Sequence, residues 1–247
     1  MGIQFLDTFT ATTGEGVNVA PSTTISVTTT SASFQFQVAM VYCNANATAS
    51  TPIAITPPSG WTNLTSFGGG NGANVQTAVL SYSLPNTIPN GGTFTWTFPS
   101  AVTAVVVLTR YNDLTTFNTS AGALTTQSPM YSAQVTPGTG QRLFICGFGQ
   151  RQRAVALTGF ELRTTGTAGG QAGATLVGAL TNRAGTNGAR AGNSQQTDLE
   201  AYVCDTIVTT SAGFYNGQAT TTSNQQGAAL IASFGFNPSL SKVPSIF

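Results

Sequence analysis

Residues 92–111 read GTFTWTFPSAVTAVVVLTRY, and their patterning decides the fold. Phe94, Trp96 and Phe98 alternate with Thr93, Thr95 and Thr97. Successive side chains of a strand point to opposite faces, so a period of two marks a half-buried β-strand. Threonine and the aromatics also suit a pleated surface. Pro99 and Ser100 close this strand. From Val102 to Tyr111 the run is nearly continuous in Val and Leu. A strand with no polar face belongs in the middle of a sheet, buried on both sides.

The same grammar extends outward. Thr23 to Thr29 forms a strand, followed by Ser33 to Tyr42, where Phe34, Phe36, Val38, Met40 and Tyr42 share one face and Gln35 and Gln37 the other. Pro52 to Thr56 is a short strand before the ProProSerGlyTrp turn at 57–61, with Trp61 plugging the end of the core. Gly68 to Gly72 reads as a flexible hairpin tip leading into Val75 to Leu84. Beyond Tyr111 a Thr/Ser loop is expected, then strands at Ser132 to Thr136, Arg142 to Phe148 and Gly159 to Thr164. The Gly/Ala-rich stretch Thr165 to Gly192 offers Leu176, Val177 and Leu180 as core candidates. Strands at Leu199 to Val208, Gly217 to Thr222 and Ala228 to Gly235 complete the pass.

Short strands about 8 to 12 residues apart, with no helical period between them, predict an all-β protein. The expected architecture is a single large antiparallel β-sandwich, jelly-roll-like, with extended terminal arms. It divides into an N-terminal arm or first strand at 1–19, the sandwich at 20–236 and a tail at 237–247. Nothing near the middle reads as a linker.

Composition narrows function by exclusion. Eight Lys and Arg, seven Asp and Glu and no histidine occur among 247 residues, where charged residues usually make up about a quarter. Lys242 is the single lysine. Acid–base catalysis, metal ligation and phosphate binding draw on the missing types, so no enzyme activity, cofactor or metal is expected. With net charge +1 no field attracts nucleic acid, and none repels a second copy. An oligomer is expected, with a trimer as its stoichiometry. Ala101 to Leu108, the longest apolar stretch, is far shorter than the roughly 20 residues of a membrane helix, so no membrane partner is expected. Met1 to Thr10 lacks the pattern of a secretory signal. Cys43, Cys146 and Cys204 form no CxxC pair and read as small buried hydrophobes.

The remaining candidates carry little chemistry. Asp198 and Glu200 share one strand face and could form a carboxylate pair of the glycosidase kind, but charges so spaced ordinarily sit in solvent. Asp205 lies too far along for a calcium cage, and no DxDxDG loop exists. Arg151 and Arg153 are too few to neutralise phosphates and are expected on a loop or against a neighbouring subunit. Trp61, Trp96, Tyr82 and Tyr111 could stack on sugars if exposed, yet each sits in a core-like pattern.

Several motifs occur together in order: ProSerGlyTrpThr at 58–62, PheThrTrpThr at 94–97, the Val-rich strand, RLFICGFG at 142–149, AspLeuGluAlaTyrValCysAsp at 198–205 and AlaAlaLeuIleAlaSerPhe at 228–234. From about residue 20 to 236 the chain resembles the GWT/TFTWT β-sandwich proteins of tailed bacteriophage virions and bacterial surface proteins. The resemblance implies a non-enzymatic virion structural protein on the outer surface of the particle, most simply a capsid decoration or cement protein. Its partners would be other copies of itself and the major capsid protein or other virion proteins. Ile3, Phe5 and Phe9 at one end and Val243, Ile246 and Phe247 at the other are the candidate contact residues of clasping arms. The alternative is a tail or head-fibre adhesin that binds host-surface carbohydrate.

Overall fold

The computed structural model describes residues 4–13, 21–30, 36–45, 52–70, 75–84, 91–112, 115–125, 128–151, 156–166, 174–183, 189–191, 199–221 and 227–236. Within them the chain forms β1 (Gln4–Thr13), β2 (Ser22–Thr29), β3 (Phe36–Ala45), β4 (Thr62–Gly70), β5 (Val75–Ser83), β6 (Gly92–Asn112), β7 (Thr115–Thr125) and β8 (Met130–Tyr131). It continues with β9 (Gly140–Gln150), β10 (Thr158–Thr165), β11 (Thr175–Ala179), β12 (Thr181–Asn182), β13 (Ala189–Ala191), β14 (Leu199–Thr210), β15 (Phe214–Thr220) and β16 (Gly227–Phe236). Every pairing between these strands is antiparallel.

The protein is an all-β sandwich whose two central sheets are each covered on both faces. One central sheet has the order β1-β6-β3-β5-β4, and the other β12-β14-β9-β16-β7 with β13 beside β14. Phe36, Val38, Met40, Val105 and Val107 of the first meet Leu143, Ile145, Val203, Leu230 and Phe234 of the second in the middle core. The outer face of the first sheet carries Val41, Cys43, Val106 and Leu108, covered by Ile25, Val27, Phe94 and Trp96 from β2 and the first half of β6. The outer face of the second carries Phe144, Cys146, Phe148 and Tyr202, covered by Leu162, Tyr215 and Ala219 of the sheet β11-β10-β15-β8. Four layers enclosing three cores explain how so few charges suffice: the central strands have no solvent face to make polar.

The 92–111 stretch forms one bent strand, where two separate strands were expected. Gly92 to Thr97 pair with β2, whose Ser22 also pairs with Val102 across a register break, and Thr103 onward pairs with β3. Pro99 falls in that break, where its missing N–H costs no ladder bond.

Other readings are corrected. Pro52 to Thr56 makes only an isolated bridge, Thr56 to Thr97, although Ile53 and Ile55 are buried. Gly68 to Gly70 end strand β4, with Gly68 so close to Pro52 and Thr77 that a Cβ would meet both within 3 Å. The expected Thr/Ser loop after Tyr111 is the edge strand β7. Ser132 to Thr136 contributes a single bridge, Val135 to Tyr215. Leu176 is 53% exposed, whereas Leu180 is buried. Trp61 closes its core as expected, 5.2 Å from Trp96 and 5.5 Å from Phe94 by ring centroids.

Each central sheet sets one strand between two antiparallel partners. Across β3, Phe36 faces Tyr111 of β6 and Gln37 faces Ser83 of β5. Across β9, Leu143 faces Phe234 of β16 and Phe144 faces Thr206 of β14. Gly147 and Gly149 of β9 meet Met40 and Tyr42 of β3 across the middle core. A Cβ at Gly147 would lie 2.6 Å from Met40 Sδ, and one at Gly149 2.6 Å from the Tyr42 ring.

Candidate interaction surfaces and buried polar clusters

A bulge between Phe5 and Asp7 governs how the N-terminal strand docks. Phe5 pairs with Tyr111 and Asp7 with Arg110, so Leu6 is the extra residue. The extra residue inverts which face each following side chain takes. Phe5 therefore packs on the middle core and Phe9 on the outer one, while Leu6 is exposed.

A guanidinium secures each face of this strand. Arg110, fully buried, donates from Nε to Asp7 Oδ1 at 2.6 Å and from Nη1 to the Thr30 carbonyl at 2.7 Å, and a second Nη2 bond to Asp7 completes a bidentate pair. Its Cζ lies 4.7 Å from the centroid of Phe9. On the other face Arg183 sits 4.5 Å above Phe5 and donates from Nε to both Asp205 oxygens, at 3.0 and 2.9 Å. Tyr111 donates its hydroxyl proton to Asp205 Oδ2 at 2.8 Å. Burial first, and the Asp205 charge second, push the Tyr111 phenol well above its usual range.

These groups line a cavity of about 160 Å³ between β1 and β14, with Leu143, Thr181, Thr206 and Ile207. Its one carboxylate is bonded to both Arg183 and Tyr111, so the cavity holds no acid or base free to move a substrate proton.

Glu200 is likewise committed. It is 1% exposed, accepting a hydrogen bond from Gln150 Nε2 and one from the Tyr202 hydroxyl at 3.1 Å. Its proposed companion Asp198 lies outside the described residues. Glu161 is bound by Arg163 at 2.6 Å and accepts from Gln218 Nε2 at 3.3 Å. Sequence reading missed the Arg110–Asp7 and Arg183–Asp205 clamps because their members come from different segments of the chain, 103 and 22 positions apart.

The expected contact residues divide. Phe5 and Phe9 are half-buried in β1 and engaged by their own chain. Ile3, Val243, Ile246 and Phe247 lie outside the described residues, as does Arg153. Trp61, Trp96 and Tyr111 are buried and present no stacking face, while Tyr82 is half-buried and stacks on exposed Phe117 with 6.2 Å between centroids. Phe117 on β7 and Phe67 on β4 flank the seam where the two central sheets abut, closed by a 2.7 Å bond from Ser120 Oγ to the Leu64 carbonyl. The three cysteines are buried free thiols. Among the described residues no three His, Cys, Asp or Glu converge as a metal site, and no helix is long and apolar enough to cross a membrane.

No protein-family model, curated protein or solved structure matches the chain.

Proposed function

We propose that the protein is a non-enzymatic structural component of a bacteriophage virion, a capsid decoration protein that stabilises the shell through contacts with its own copies and with the major capsid protein. The observation that carries the non-enzymatic part is the commitment of all four described carboxylates, Asp7, Glu161, Glu200 and Asp205, to internal partners. With the described carboxylates held inside the fold, the described surface offers chiefly neutral, hydrogen-bonding groups. Such a surface binds by fit and by repeated small apolar contacts, at about 25 cal/mol per Å² of apolar area removed from water.

The virion assignment rests on the motif order from Trp61 to Tyr111 and its counterpart in the second half. In this reading the seam bearing Phe67 and Phe117 supplies apolar contact area, and Val243, Ile246 and Phe247 reach a neighbouring subunit. Electron microscopy of the native particle with the purified protein tests it: density for the protein on the outer shell is expected. Deleting Pro238 to Phe247 should lower occupancy. Full occupancy by the truncated protein refutes the arm, and absence from the shell refutes the decoration role.

A further inference from the structure

We infer that Cys146 and Cys204 form a cross-strand disulfide between β9 and β14 when the protein folds in an oxidising thiol–disulfide environment. The inference rests on geometry and is independent of the virion reading. The two residues are direct partners in the β9–β14 ladder, and both belong to the core between the second central sheet and its outer cover. Opposed residues of an antiparallel pair have Cα atoms about 4.5 or 5.5 Å apart, within the span of about 4.4 to 6.8 Å that a disulfide bridges. Cys43 belongs to the core on the far side of the other sheet and cannot compete.

The layer above packs directly on Cys146: a Cβ at Gly217 of β15 would stand 2.6 Å from the sulfur, so only glycine fits over this side chain. Both thiols are 0% exposed. Burial, and Asp205 nearby, hold Cys146 in its protonated form, and the thiolate is the attacking species. The bond therefore forms as the strands come together, before the core closes over the sulfurs.

The chemistry is a pair of exchanges with a small disulfide such as oxidised glutathione. One cysteine thiolate attacks it, giving a mixed disulfide and one glutathione thiolate; the second cysteine then displaces the other glutathione. Two electrons and two protons leave the cysteines, and two molecules of reduced glutathione result. Once closed, the link is sealed from reductants by β15 and encloses β10 to β13.

The test refolds reduced, unfolded protein in a mixture of reduced and oxidised glutathione, then alkylates with N-ethylmaleimide under denaturant. The expected product carries one maleimide, on Cys43, with a Cys146–Cys204 cross-linked peptide by mass spectrometry. Its thermal midpoint should stand roughly 5 to 15 °C above that of protein unfolded, reduced and refolded in dithiothreitol. Three maleimides, glutathione adducts alone, or a cross-link through Cys43 would overturn the inference. Cys43→Ala should keep the cross-link and Cys204→Ala should lose both it and the redox dependence of the midpoint.

Discussion

The two partners of the Arg110–Asp7 clamp are unequal. Asp7 is 35% exposed by side chain and Arg110 is sealed. Removing the carboxylate strands a buried cation, whereas removing the guanidinium leaves a carboxylate that water can reach. Asp7→Ala is therefore expected to cost about 3–5 kcal/mol, and Arg110→Met, which keeps the apolar bulk over Phe9, only about 1–2 kcal/mol. Urea unfolding of the two variants checks the order, and equal costs would contradict the account. The N-terminal stretch, expected as an arm or first strand, docks as a strand along β6. Its one charged side chain, Asp7, meets a partner 103 positions away, which no local pattern announces.

At the scale of strands, the interlock between β3 and β9 sets what the middle core tolerates. Gly149→Ala drives a methyl into the stiff Tyr42 ring, while Gly147→Ala meets the flexible Met40 side chain. The first is expected to cost about 1–3 kcal/mol and the second less, as read by thermal unfolding. Strands with bulky β-branched or aromatic alternation, such as β3, β6, β9, β14 and β16, were legible because they form the cores. Edge strand β7 was not, since TTFNTSAGALT lacks that bulk and holds its place by pairing with β16. Gly68 and Gly69 misled in the opposite direction: close approach to Thr77 of β5 calls for glycine at the first and to Leu124 of β7 at the second, and a string of glycines reads as a turn. Leu176 misled because apolar character alone does not say which face of β11 looks outward. Of the candidate site, the burial of the cysteines and tryptophans was legible from their strand context. The fate of Glu200 was not, because its partner Gln150 lies on another strand.

Across the whole molecule, scarcity of titrating groups dictates the response to pH. With no histidine, stability is expected to be flat between about pH 6 and 8. Alkali is different. Burial raises Cys43, Cys146 and Cys204 from an ordinary 9.0 and Tyr42 and Tyr111 from 10.0. Above those values the unfolded chain sheds protons that the folded one keeps, so stability is full below them and falls as pH rises. Each group contributes about a tenfold loss in the folding equilibrium per pH unit. Urea midpoints of the reduced protein should hold from pH 6 to 8 and drop steeply from 9 to 11; a level profile would refute this burial account.

The glycines at 147 and 149 also fix how the two central sheets stack. Met40 and Tyr42 project from one sheet as knobs, and the missing side chains of the other are the sockets that receive them. A slide of one sheet over the other by a single residue pair would set at least one knob against a side chain, so this contact holds the stacking in one alignment.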